Sequence, residues 1–167
     1  MEIRLLEKDD IPVIVAAFIT IGWDKPTPLY ERYLREQESG ERTVFVALCD
    51  GIFAGYNTIH WQSDYPPFRE AQIPEIQDFN VLPQFRRQGI GSRLMDICEE
   101  TVAQRFRVIG IGVGLHADYG AAQRMYTRRG YILDGRGVMY NEQPVPPHQP
   151  APVDDSLNLF FTKRLQD

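Results

Sequence analysis

The chain has 167 residues, 43% hydrophobic and 25% charged, with 18 Lys and Arg against 23 Asp and Glu for a formal net charge of −5. This balance suits one globular domain with its own core, and 9 Phe, 8 Tyr and 2 Trp exclude a disordered chain. The acidic surplus argues against a nucleic-acid surface, and the longest apolar stretch, 11–22, is too short to cross a membrane, so neither partner is expected.

Residues 2–6 alternate as a short strand that lacks a signal peptide's basic start, so a cytoplasmic location is expected. Asp9 and Asp10 are placed to cap an apolar helix over about 11–21. Residues 23–28 break the pattern. Thr27 or Pro28 opens a second helix carrying Tyr30, Tyr33 and Leu34, stopped by Ser39-Gly40. Strand-type runs at 43–49 and 53–61 flank Asp50-Gly51, a strong hairpin signal. Residues 62–72 are polar around Pro66-Pro67 and read as a loop, and 74–81 as a strand closed by Pro83. A helix is expected over 89–105, a strand over 108–115, a helix over 119–129 ended by Gly130, and a strand over 131–140. Five prolines mark 141–155 as a loop, and 157–165 forms a last strand. This order of about seven strands and four helices predicts a single α/β (α+β) domain spanning 1–167, its helices packed on a mixed sheet.

Cys49 and Cys98 lie in apolar surroundings and are expected as buried thiols. His60, His116 and His148 show no metal-ligand spacing, so no metal is expected.

The most informative stretch is 79–92, Phe-Asn-Val-Leu-Pro-Gln-Phe-Arg-Arg-Gln-Gly-Ile-Gly-Ser. A strand ends, two arginines follow, and two glycines open a helix. The first amides of a helix have no partner within it and carry partial positive charge, which suits an anion such as a pyrophosphate. Gly89 and Gly91 remove side chains that would hold a phosphate off that backbone, and Arg86, Arg87 and Arg93 add charge. The run Arg86-Arg87-Gln88-Gly89-Ile90-Gly91 resembles the acyl-CoA-binding motif Q/R-x-x-G-x-G/A of the GNAT superfamily of N-acyltransferases. Further on, Met125-Tyr126-Thr127-Arg128-Arg129-Gly130-Tyr131 resembles that superfamily's Leu-Tyr-x-x-x-Gly-Phe/Tyr pattern. The strand order matches too, so the resemblance covers essentially the whole chain and implies a mostly antiparallel sheet. Gly112-Val113-Gly114-Leu115-His116-Ala117 fits a dinucleotide fingerprint, but Gly110, Gly112 and Gly114 alternate within one strand and share a face rather than forming a turn. That bare face either admits a tightly packed helix or leaves room for the pantetheine arm.

The resemblance implies transfer of an acetyl group from acetyl-CoA to a primary amine of a small molecule or peptide, by direct attack in a ternary complex and without a metal. It assigns the acyl-CoA contacts to Phe79, Val81, Arg86, Arg87, Gln88, Gly89, Ile90, Gly91 and Ser92. Tyr119 joins them, standing where many members carry a CoA-contacting asparagine; Asp118 beside it could cap the following helix. An acceptor amine of ordinary pKa about 10.4 must lose a proton before it attacks, and the departing thiolate leaves more easily once protonated. Tyr126 stands at the superfamily's general-acid tyrosine. Glu75, 11 residues before Arg86, matches the glutamate base of some members. Asp78 is the competing base: in a regular strand the two face opposite ways, and a bulge would change that. The acceptor is expected near Phe18, Trp23, Asp24, Tyr30, Glu31 and Tyr33, or near the 144–152 loop with His148, Asp154 and Asp155, a loop that could instead form a homodimer contact. A catalytically silent acyl-CoA-binding regulatory module is the alternative function.

Overall fold

The computed structural model describes residues 1–165. Nine strands, antiparallel in most of their pairings, and five helices make a mixed α/β fold. They gather into two compact units that interleave along the chain, one built from 1–61 and 76–100, the other from 62–75 and 101 onward.

The first unit begins with β1 (Glu2–Leu5), α1 (Asp10–Thr20) and α2 (Thr27–Ser39). Asp10 does not cap a helix amide; it receives Arg4 through two 2.7 Å hydrogen bonds and the Glu7 amide at 2.8 Å, tying β1 to the start of α1. Gly40 ends α2 at φ +80, a conformation glycine adopts without penalty. β2 (Arg42–Cys49) and β3 (Ile52–His60) form the expected hairpin, Asp50 and Gly51 both having positive φ. β1 pairs with β2 from Glu2 opposite Leu48, β2 with β3 from Arg42 opposite His60, and β3 neighbours β4 (Glu75–Val81). Gly55 is required here, because a side chain on it would strike the Asn80 carbonyl of β4. Phe18, Tyr30, Tyr33, Val44, Val46, Phe53 and Tyr56 fill the core between α1, α2 and the strands. The helix α4 (Ile90–Ala103) follows β4 through a short 3-10 turn at Pro83–Phe85; Asn57 of β3 donates to the Leu94 carbonyl (2.9 Å) and to Cys98 Sγ (3.0 Å). Among the described residues no disulfide forms.

The second unit departs from expectation in three places. Residues 62–72 contain a short helix, α3 (Pro66–Glu70), since prolines are well accommodated in a helix's first turn and Phe68 is buried. The predicted strand 131–140 is two short strands, β6 (Ile132–Leu133) and β7 (Met139–Tyr140), parted by Gly135 and Gly137 in left-handed conformation. The proline-rich loop yields β8 (Gln143–Pro144), joined to β7 across Asn141 and Glu142, both at positive φ. The additional strands account for nine where about seven were expected. β5 (Val108–Gly114) and β9 (Leu157–Arg164) pair from Val108 opposite Arg164 to Gly114 opposite Asn158, and β6 and β7 pair with the other edge of β9. The bare face of β5 is filled by the chain's own rings: Phe68 against Gly110, Phe160 about 3.1 Å from where a side chain on Gly112 would begin, and Tyr119 against Gly114. Phe68 and Phe160 join Tyr65 and Met139 in this unit's core. Between β5 and β6 lie a 3-10 turn, Ala117–Tyr119, and α5 (Gly120–Arg128), which ends at Gly130 with φ +84. Tyr119 rather than Asp118 is the residue before α5, and no side-chain cap bond forms there.

Candidate active site

In the first unit, the turn between β4 and α4 is open. Arg86, Arg87, Gln88 and Gly89 are exposed, and nothing lies within 4 Å of where a side chain on Gly89 would begin. Arg87 (φ +59) and Gly89 (φ +84) are both left-handed, while Ile90, fully buried, anchors the first turn of α4. Alternation of left-handed residues with ordinary ones turns successive amides toward one side, a concavity suited to an anion. Arg86 is engaged elsewhere: its Nε donates to the Val81 carbonyl (3.1 Å) and its guanidinium lies 5.8 Å from the Trp23 ring. Gln88 donates to the Gln84 carbonyl at 3.0 Å. Phe79 and Val81 are half-buried at the end of β4, Gly91 is half-buried, and Ser92 is exposed in the first turn of α4.

Asp78 is the irregular residue within the continuous strand β4. Its φ of +48 is left-handed, a conformation Asp tolerates better than most residues but that costs energy within a strand. That left-handed backbone departs from the regular strand geometry on which strict alternation with Glu75 depends. Four donors meet the carboxylate: Lys25 Nζ and Asn80 Nδ2 (2.8 Å) at Oδ1, and the hydroxyls of Tyr56 and Tyr33 (3.0 Å) at Oδ2. Burial pushes the Asp78 carboxyl up, but the charge and hydrogen bond of Lys25 and the two phenols outweigh it and hold the group below the usual carboxylate range. Burial and the same carboxylate push the Tyr33 and Tyr56 phenols up, so both stay protonated as donors.

Of the residues expected near an acceptor, Phe18, Tyr30 and Tyr33 belong to the core, and Trp23 stacks on Phe18 (5.7 Å, 16°) while 37% exposed. Asp24 and Glu31 are exposed. Sequence reasoning missed Lys25 and Tyr56: a basic residue 53 positions from its carboxylate leaves no trace in spacing.

In the second unit, Glu75 is 5% exposed and accepts the Ser63 hydroxyl, whose oxygen receives the Tyr65 amide at 3.0 Å. Tyr126 lies on α5, 4% exposed, its ring 6.0 Å from that of Tyr131. Burial, with a smaller contribution from Tyr119, pushes its phenol well above the ordinary tyrosine value. Among the described residues no group accepts its hydroxyl proton. Tyr119, besides covering Gly114, donates to Asp155 (2.9 Å) and stands edge-on to His116 at 4.7 Å; His116 Nε2 meets the same Asp155 oxygen at 3.0 Å. These contacts join the turn after β5 to the end of the proline-rich loop.

The model of the acetyltransferase (GNAT) family matches residues 12–131. An uncharacterised N-acetyltransferase of Archaeoglobus fulgidus is 30% identical over 118 residues, which are 65% of this chain and 78% of that one. Among solved structures, a ribosomal-protein-alanine N-acetyltransferase from Brucella melitensis superposes with a TM-score of 0.71 at 19% identity, covering 99% of this chain and all of that one. The protein yncA from Salmonella typhimurium, solved with its cofactor acetyl-CoA, gives 0.69 at 17% identity over 100% and 95%. The chain belongs to the acetyltransferase (GNAT) family. It is an acyltransferase.

Proposed function

We propose that this chain transfers an acetyl group from acetyl-CoA to the primary amine of a small molecule or peptide, as one catalytic domain and by direct attack in a ternary complex. The observation that carries this reading is the open turn at 86–91, where left-handed Arg87 and left-handed, uncovered Gly89 lead into the first turn of α4. These groups fit a diphosphate, with Arg87 supplying charge and Gln88, Ile90, Gly91 and Ser92 shaping the rim. Arg86 acts through its contacts with Val81 and Trp23, bracing the turn. The end of β4, at Phe79 and Val81, offers backbone groups to the amides of the pantetheine arm, and Tyr119 contributes from the turn before α5. Bound acetyl-CoA supplies an activated thioester carbonyl.

Tyr126 is the proton donor to the leaving sulfur. Its burial keeps the phenol protonated throughout the working range, and among the described residues no group accepts its hydroxyl proton. Glu75 is the base, receiving the acceptor's proton by way of water, since its own carboxylate is buried beside Ser63. Asp78 is the alternative base, disfavoured because four donors stabilise its charge and weaken its pull on a further proton. The Brucella relative, named for a ribosomal-protein alanine, supports a peptide α-amine among the acceptors.

Two measurements test this reading. Calorimetry with acetyl-CoA should detect binding at a single site, and thiol release should appear with at least one amine from a panel of alkylamines and peptide N-termini. Absence of heat with any CoA thioester overturns the reading; binding without turnover for any amine makes the chain an acyl-CoA-binding module instead.

A further inference from the structure

The Asp78 cluster carries an inference about which group the acceptor side recognises. A primary ammonium, Lys25 Nζ, binds Asp78 Oδ1 and lies 6.0 Å from the Tyr56 ring centroid, while the Tyr33 and Tyr56 hydroxyls donate to Oδ2 and hold the carboxylate in place. This combination matches ammonium chemistry, a compact charge taken by one carboxylate oxygen and an electron-rich ring. Tyr33, Tyr56 and Asn80 are fixed on α2, β3 and β4, whereas Lys25 comes from 21–26, a connection with no helix or strand. The Lys25 side chain is 22% exposed and that of Asp78 17%, so the position communicates with solvent. Tyr30 packs beside the cluster, its ring edge-on to both Tyr56 (5.5 Å) and Tyr33 (6.2 Å).

We propose that Asp78, Tyr33 and Tyr56 form a primary-ammonium site, that Lys25 is its resident occupant, and that the acceptor amine enters by displacing Lys25. The displacement follows from exchange of like for like: the incoming ammonium restores the charge partner that Asp78 loses, and no buried charge is left unpaired at the end. Departure of Lys25 also removes the strongest influence lowering the Asp78 carboxyl. The assignment of the acceptor rests on the acetyl-transfer reading above; the existence of the ammonium site does not.

The test uses the full chain without acetyl-CoA. Lys25→Ala removes the atoms from Cγ to Nζ, which together are the size and charge of n-propylammonium. At constant ionic strength, n-propylammonium chloride should raise the Tm of Lys25→Ala saturably, by about 3–6 °C at tenfold over half-saturation. Sodium chloride and tetramethylammonium chloride should not, and neither wild type nor Lys25→Ala/Asp78→Asn should respond to propylammonium. Equal responses in all three proteins, or equal responses to sodium, overturn the site. In turnover with n-propylamine, Lys25→Ala should lower KM and Lys25→Arg, whose fork grips a carboxylate more firmly, should raise it at least fivefold, each changing KM more than kcat. The Arg variant keeps charge and bulk, so it remains informative should Lys25→Ala fail to fold. Rescue of Tm with unchanged amine KM in both variants overturns the acceptor's entry by displacement, whereas rescue with no acetyl transfer by any form overturns the function reading and leaves the ammonium site standing.

Discussion

Replacing Tyr126 by Phe separates catalysis from stability. The residue is 4% exposed, and Phe fills the same volume on α5. A typical buried hydrogen bond contributes about 0.5–1.5 kcal/mol, but among the described residues nothing accepts the Tyr126 proton, so deleting the hydroxyl breaks no such bond. The stability change should stay within about 0.5 kcal/mol, or roughly 2 °C in Tm for a chain of this size. Turnover should behave differently. General acids contribute about 10²–10⁴-fold, and loss of even tenfold corresponds to about 1.4 kcal/mol of transition-state stabilisation. Tyr126→Phe should therefore lower the rate of thiol release from acetyl-CoA at least tenfold, while calorimetry finds acetyl-CoA affinity within about twofold of wild type. Unchanged turnover removes Tyr126 from the chemistry. A drop of several degrees in Tm shows instead that the hydroxyl is a structural group, and either result refutes the argument from its burial and lack of a partner.

Gly89→Leu should weaken acetyl-CoA binding at least tenfold by calorimetry, because a side chain at φ +84 is strained and enters the open turn; full-strength binding contradicts the phosphate cradle. Glu75→Gln should move the pH dependence of turnover toward alkaline values, and a profile that does not move takes the base away from Glu75. Acid stability should depend on Asp10. Burial pushes its carboxyl up, but two hydrogen bonds from Arg4 and one from the Glu7 amide hold it below its ordinary value. A carboxyl depressed by folding stabilises the fold above its unfolded pKa and loses that contribution as pH falls through the folded one. Asp10→Asn should lower stability by about 2 kcal/mol near neutral pH and approach wild type as pH falls through and below the ordinary carboxylate range; parallel stability curves would contradict the Arg4 pairing.

Features set by neighbouring residues were legible in the sequence. Asp50-Gly51 fixes a hairpin through its own φ values, and Gly40 and Gly130 end helices for the same reason. The open turn at 86–91 was legible because it combines glycines, arginines and a following apolar periodicity. Where one residue type serves two opposite purposes, the reading went astray. Pro66-Pro67 read as a break although proline also starts helices, and Gly135 and Gly137 split what alternation alone presents as one strand. The cluster at Asp78 was least legible. It joins the 21–26 connection, α2, β3 and β4, and its key backbone angle belongs to an aspartate, a residue that tolerates left-handed geometry but also fits a regular strand. The alternating glycines of β5 were visible, but their spacing left a packed helix and the pantetheine arm equally open, because the rings that fill the bare face come from α3, β9 and the turn before α5.

That arrangement has a consequence for how the chain can vary. Three rings lean directly on one strip of main chain, so size there is constrained as a sum and not residue by residue. A methyl group introduced at position 110 becomes tolerable only when Phe68 gives way to something slimmer, and likewise for 114 with Tyr119. Substitutions along this strip should be damaging singly and forgiven in matched couples, and drift in this half of the molecule should proceed by such paired exchanges.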